Sequence, residues 1–129
     1  MEVFGYRKLI AYQKAKEIVK SSYKLLKKFP SGERYALCDQ LRRASVSITS
    51  NIAEGVNRYS VKDKSHFIEM AYGSLMEVYC QLILADDLHY LDEGCMDDVR
   101  LSVEHIGKML SGLQASFERM SGKQQNPNP

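Results

Sequence analysis

The groups best suited to chemistry in this 129-residue chain are three histidines, His66, His89 and His105, and three cysteines, Cys38, Cys80 and Cys95. A metal centre on helices needs ligands one turn apart, as in HxxxH or paired ExxH motifs, and those spacings are missing. Glu69 and Glu77 fall on nearby turns, yet without paired Glu-x-x-His motifs they build no di-iron site. The cysteines are odd in number and fit no metal-ligand spacing. With no evident activating base beside any of them, they read as free, packed thiols of a reducing cytoplasm. P-loop, GxGxxG and GxSxG motifs are also missing. No enzymatic activity, metal or cofactor is expected.

Positive charge is what the chain concentrates. Residues 1–64 hold fourteen Lys/Arg against six Asp/Glu, while residues 65–129 hold four against ten, within an overall charge of +2. Arg7, Lys8, Lys14, Lys16, Lys20, Lys24, Lys27 and Lys28 crowd the first predicted helix, where Glu17 is the only acid. Lys14, Lys24 and Lys28 share one face, with Lys20 and Lys27 close by. Such a row neutralises phosphates and releases their counterions. Arg7, Lys8, Lys14, Lys20, Lys24, Lys27 and Lys28 are therefore candidate nucleic-acid contacts. The plainer readings are a solvated face, or charge that serves helix pairing and self-association. No aromatic–basic interleaving or base-reading motif is visible, so recognition should depend on backbone and shape.

A second constellation lies in QLRRASVSITSNIAEG, residues 40–55. Ser45 to Ser50 alternates polar and β-branched residues like a strand. On a wheel of about 100° per residue, however, Leu37, Leu41, Ala44, Ile48 and Ile52 fall within an arc of about 80°. Helix wins against local β preference because neighbouring helices reward that stripe. Beside it run Arg43, Ser47, Ser50, Asn51, Glu54 and Arg58, and Gly73, Ser74 and Glu77 make a similar small-and-polar patch downstream. Arg43, Ser47, Asn51, Glu54, Arg58, Ser74 and Glu77 are candidates for a polar network that fixes helix register, or for a subunit contact or ligand site.

These constellations sit on four predicted helices, about 6–28, 33–58, 61–90 and 96–120. Leu9, Ala15, Ile18, Val19, Leu25 and Leu26 give the first its core stripe. Ser60 caps the third, with Asp63 three residues on, and Phe67, Ala71, Leu75, Val78, Leu82 and Ala85 line it. Val99, Val103, Ile106, Leu110, Leu113 and Phe117 form the seam of the fourth. Pro30 is the only proline before the terminal Asn-Pro-Asn-Pro, which leaves room for long helices. Residues 121–129 hold no large apolar side chain and are expected to be disordered. The fold class is all-α: one antiparallel, up-down-up-down four-helix bundle over residues 1–120. No apolar run approaches the roughly 20 residues of a membrane span, and no signal peptide is read.

The run FPSGERYALCDQLRRASVSITSNIAEGVNRYS, followed by FIEMAYGSLMEV, resembles the bacterial four-helix bundle family of 23S rRNA intervening-sequence proteins, also labelled a small-subunit ribosomal protein family. The residues carrying the likeness are Gln40, Arg42, Arg43, Ala44, Ser47, Asn51 to Gly55, Arg58, Gly73 to Leu75 and Glu77. Ala36-Leu37-Cys38 replaces a frequent Gly-Leu-Thr, and Tyr79 replaces a frequent Glu, which removes one charged contact. The resemblance implies a bundle that assembles as a cyclic homo-oligomer, most often a pentamer. It also implies kinship with the accessory protein of diversity-generating retroelements, which associates with nucleic acid and a reverse transcriptase. Val46, Ala53, Phe4, Tyr6, Tyr12 and Tyr72 are candidates for the surplus apolar surface that assembly requires. Two non-enzymatic functions follow: a nucleic-acid-associated accessory protein, or a protein-interaction scaffold with no nucleic-acid role.

Overall fold

The computed structural model describes residues 9–125, with side chains through residue 120. Four helices follow one another: α1 (Ile10–Leu26), α2 (Leu37–Val56), α3 (Val61–Asp87) and α4 (Cys95–Gln125). Contacts between neighbours run in opposite chain order. Ser47 meets Ser74 while Gly55 lies against Phe67, and Tyr72 lies over Gly107 while Glu69 meets Gln114. Each of these neighbours therefore runs against the one before it, and α1 closes the bundle against α4.

The strand-like centre of α2 shows how tertiary packing settles a local ambiguity. Leu41, Ile48 and Ile52 are fully buried, as the wheel requires. Several polar side chains here bond back to the helix itself. Ser45 Oγ donates to the Arg42 carbonyl at 3.0 Å, Thr49 Oγ1 to that of Val46 at 2.8 Å, and Asn51 Nδ2 to that of Ser47 at 2.9 Å. Back-bonding of this kind removes the incentive of a hydroxyl to leave a helix.

Several boundaries differ from expectation. Leu9 is extended, so α1 begins at Ile10; the residues before it lie outside those described. The second helix does not start at 33: Ser31–Glu33 forms a separate 3-10 turn, and Ala36 at φ −120°, ψ −101° breaks the path into α2. Glu33 is held there by Tyr90, whose hydroxyl donates to Oε2 at 2.9 Å. At the end of α3, His89 takes a left-handed φ of 63°, and Tyr90 and His89 donate back to the carbonyls of Ala85 and Asp86. That paired-bond stop ends the helix at Asp87 rather than 90. The last helix runs to Gln125 rather than 120; residues 126–129 lie outside those described. No proline occurs in that stretch before Pro127, so nothing blocks the helix. Ser60 does cap α3, accepting from the Asp63 amide at 3.1 Å.

The core stripes of α2 and α4 are as read, except that Leu113 is only half-buried. On α3 the buried residue is Ile68, while Phe67 is half-buried beneath the Arg58 guanidinium, 4.7 Å from its ring centre. On α1 the buried stripe is Ala11, Ala15, Ile18 and Ser22; Leu9, Val19, Leu25 and Leu26 sit at its margin. Three of those four buried residues are small, so α1 buries less apolar area than the others. The α1–α4 seam is accordingly open, with a groove of about 400 Å³ and a smaller one of about 170 Å³.

The tightest approach is at Gly55. A methyl group there would stand 3.1 Å from Phe67 Cβ, 3.2 Å from the Lys64 carbonyl oxygen and 3.3 Å from Ile68 Cδ1. Lys64 strengthens the same corner, donating to the Val56 carbonyl at 2.8 Å with its ammonium 5.1 Å from the Phe117 ring centre. Burial pulls the Lys64 pKa below the ordinary lysine value. Gly55→Ala should therefore lower stability by about 1–3 kcal/mol, because two backbones must separate. Gly112→Ala, where the space is open, should gain up to about 1 kcal/mol from helix preference. Thermal melts of both variants test this, and a Gly55→Ala protein as stable as wild type would refute the close approach.

Candidate nucleic-acid interface

The cations of α1 divide into two sets. Toward α4, Lys14 pairs with Glu17 at 3.4 Å and Lys28 pairs with Asp92. Lys24 borders the same groove as Asp98 but, like Lys20 and Lys27, makes no ion pair among the described residues, so two of the three lysines on this side are compensated. Toward α2, Lys16, Lys20, Tyr23 and Lys27 follow at steps of four, three and four, which places them on one stripe. Lys16 stands 5.6 Å from the Tyr12 ring centre, and Lys20 and Lys27 have no acidic partner among the described residues. At its lower end the stripe opens into a hollow of about 420 Å³ bordered by Tyr23, Lys27, Arg34 and Arg42.

This partition refines the expected site. Lys14, Lys24 and Lys28 lie on the side where Lys14 and Lys28 are paired, and Lys20 and Lys27 on the uncompensated one. Arg7 and Lys8, like Phe4 and Tyr6, lie outside the described residues. Sequence reasoning missed Tyr23, Arg34 and Arg42 as neighbours of the lysines. It also missed the aromatic–basic interleaving, because Tyr12 and Tyr23 enter the stripe only when α1 is wound and set beside α2. The four-three-four spacing was the available signal.

The polar stripe of α2 is distributed differently from the lysines. Among the described residues Ser47 makes the stripe's hydrogen bond between helices, sharing 2.8 Å with Ser74 and accepting from Asn51 Nδ2 at 2.9 Å, while Arg58 reaches α3 only by lying over the Phe67 ring. Glu54 and Arg58 are exposed and pair with each other along α2 at 3.1 Å. Arg43 is exposed with no acidic partner among the described residues, whereas Arg42 is tied to Asp39 at 2.6 Å. Glu77 accepts from Gln81 Nε2 on its own helix at 3.2 Å, and Glu69 accepts from Gln114 at 3.2 Å.

The groups considered for bond-making chemistry do not converge. His66, His89 and His105 are exposed on separate parts of the bundle, and no cluster of three metal-ligating side chains occurs among the described residues. Burial raises the thiol pKa of Cys38 and of Cys95, which favours the unreactive protonated form; Cys80 is exposed. Among the described residues, no helix is long and apolar enough to cross a membrane.

The sequence pattern of the 23S rRNA-intervening sequence protein family matches residues 7–112. The chain belongs to that family. The bundle is also similar to a crystal structure from Bacteroides thetaiotaomicron, of a protein with unknown function from the S23 ribosomal protein family. The TM-score is 0.74 at 20% identity, covering 82% of this chain and 96% of that one. At that identity the likeness establishes a shared fold. No curated protein matches the sequence. Membership of the 23S rRNA-intervening sequence family thus brings a bundle and no biochemical activity.

For this family member the α2 stripe yields a graded expectation. Asn51→Ala should lower stability by about 1 kcal/mol, since Ser47 and Ser74 lose part of a half-buried cluster. Glu54→Gln should change it by less than about 0.5 kcal/mol in the isolated chain, because its pair is exposed. A larger loss at Glu54 that grows with protein concentration in urea melts would identify a subunit contact. A large, concentration-independent loss at Glu54 with none at Asn51 would overturn the assignment.

Proposed function

We propose that this chain is a non-enzymatic, self-associating protein that holds RNA or DNA by the phosphate backbone. The observation that carries the reading is the uncompensated stripe Lys16–Lys20–Tyr23–Lys27 on α1, beside a second side of the same helix where acids meet the lysines. A helix that needed its cations only for solubility would have no reason to sort them in this way. Tyr23, 40% exposed, adds an aromatic face on which an exposed base can stack, so single strands or loops are favoured over duplex.

Self-association has its own support. Tyr72, Met76, Tyr79 and Ile83 form a four-three-four apolar stripe on α3, and the first three border a groove of about 520 Å³ against α4. Tyr72 and Ile83 are each about 40% exposed, and Val46 is exposed on α2. Assembly into a ring, with a pentamer expected, would cover this surface and repeat the basic stripe around an axis. The same apolar surface favours the second reading, a scaffold for a protein partner such as a reverse transcriptase with no contact to nucleic acid.

Fluorescence anisotropy with labelled single-stranded RNA separates the two. Binding should be strong near 50 mM salt and collapse by about 200 mM. The triple variant Lys16→Gln, Lys20→Gln, Lys27→Gln should lose most of it with unchanged helical content, whereas Lys14→Gln with Lys28→Gln should lose little. Native mass spectrometry should show the oligomer in both. Absence of binding at low salt, with the oligomer intact, would leave the scaffold reading in place of this one.

A further inference from the structure

We propose that the hollow between α1 and the start of α2 is a pocket for the terminal phosphate of a nucleotide, and that it seats the 5′-phosphorylated end of a bound strand. Its place at the end of the basic stripe rests on the function proposed above; the site itself rests on its own walls. The hollow measures about 420 Å³ and is bordered by Tyr23, Lys27, Phe29, Pro30, Arg34 and Arg42. That volume suits a small ligand, and its lining combines the two chemistries a nucleotide presents. Tyr23, 40% exposed, offers a ring face for a base, over a floor that includes the buried ring of Phe29. Lys27, Arg34 and Arg42 offer donors to phosphate oxygens.

The number of donors selects the kind of phosphate. Asp39 is held by Arg42 Nη1 at 2.6 Å, and Glu33, which keeps its charge while accepting from the neutral Tyr90 hydroxyl at 2.9 Å, also faces this end of the bundle, so the three cations keep a small positive excess. A phosphodiester inside a strand has two unbridged oxygens, whereas a terminal phosphomonoester has three strong acceptor oxygens and up to about two charges at pH 7. The monoester is the better match to three cationic donors. The Asp39 contact also fixes one edge of the Arg42 guanidinium, so its remaining N–H groups are oriented before a ligand arrives. The turn that carries Arg34 is anchored by the Glu33–Tyr90 bond and by the Phe29 and Tyr90 rings, 5.3 Å apart. The walls are therefore set by the fold.

The test compares a ten-nucleotide RNA bearing a 5′-phosphate with its 5′-hydroxyl twin, both labelled at the 3′ end, together with free AMP and adenosine. The 5′-phosphate form should bind about tenfold tighter at pH 7.5, the scale of two or three charge-assisted hydrogen bonds. That preference should shrink below about pH 6, where the monoester loses its second charge. Arg34→Gln with Lys27→Gln should abolish the preference, with circular dichroism unchanged. Lys16→Gln with Lys20→Gln should weaken both RNAs alike and keep their ratio. AMP, but not adenosine, should shift the amide resonances of Tyr23, Arg34 and Cys38. If AMP binds and neither RNA does, the pocket serves free nucleotides and the strand-holding function fails alone. Equal binding of the two RNAs with no AMP response would overturn the pocket, as would a preference that survives Arg34→Gln with Lys27→Gln.

Discussion

The close approach of α2 and α3 at Gly55 governs the rest of the arrangement. With only a hydrogen on that residue, the helix axis can sit against the Lys64 carbonyl and the Phe67 and Ile68 side chains. From that corner the two helices run back along each other, which brings Ser47 to Ser74 and buries Ile48 and Ile52 with Ala71, Leu75 and Val78. The α4 helix then rides on α3, where Gly107 makes room for the Tyr72 ring. Last comes α1, with its mostly small buried residues. The helix whose charge is most one-sidedly positive is therefore the one least deeply packed, and its seam with α4 stays open.

What α1 lacks along its length is supplied at one end of the bundle. Phe29 is buried there against the Tyr90 ring, Lys28 pairs with Asp92, and Tyr90 holds Glu33. Hydrogen bonding to Glu33 favours the neutral phenol and raises the Tyr90 pKa above the ordinary tyrosine value. These contacts join the connection after α1 to the connection after α3, two segments far apart in sequence. They also set the path of residues 30–36, and hence where Arg34 and Arg42 stand relative to Lys27.

The fold was legible in the sequence because its signals were periodic. Leu41, Ile48 and Ile52 on α2, and Val99, Val103, Ile106 and Leu110 on α4, repeat at helical steps and are all buried. Misreadings fell where period does not decide. Phe67 and Ile68 are adjacent, and which one enters the core depends on the rotation that Gly55 allows. Ser22 is fully buried with no hydrogen-bond partner for its hydroxyl among the described residues, which no hydropathy pattern anticipates. His89 stops α3 in a conformation where glycine is the common signal. The candidate site was half legible. Clustering of lysines on α1 is written in the sequence, but their division into paired and unpaired sides depends on Asp92, a distant acid that only the folded chain brings near.

That division bears most directly on function. Like charges along a stripe repel, and among the described residues folding brings Lys16, Lys20, Lys27 and Arg34 to one side with Asp39, beside Arg42, and Glu33 to offset them at one end. Long lysine stems let the ammonium groups spread into water, which softens the repulsion without removing it. On its other side the same helix relieves the problem with Glu17 on Lys14 and Asp92 on Lys28. A surface shaped by stability alone would be compensated on both sides, since a single acid on the α2 face would relieve the stripe. That unrelieved charge is what the proposed function rests on. On the function proposed above, a polyanion passing Tyr23 toward the hollow would supply that charge.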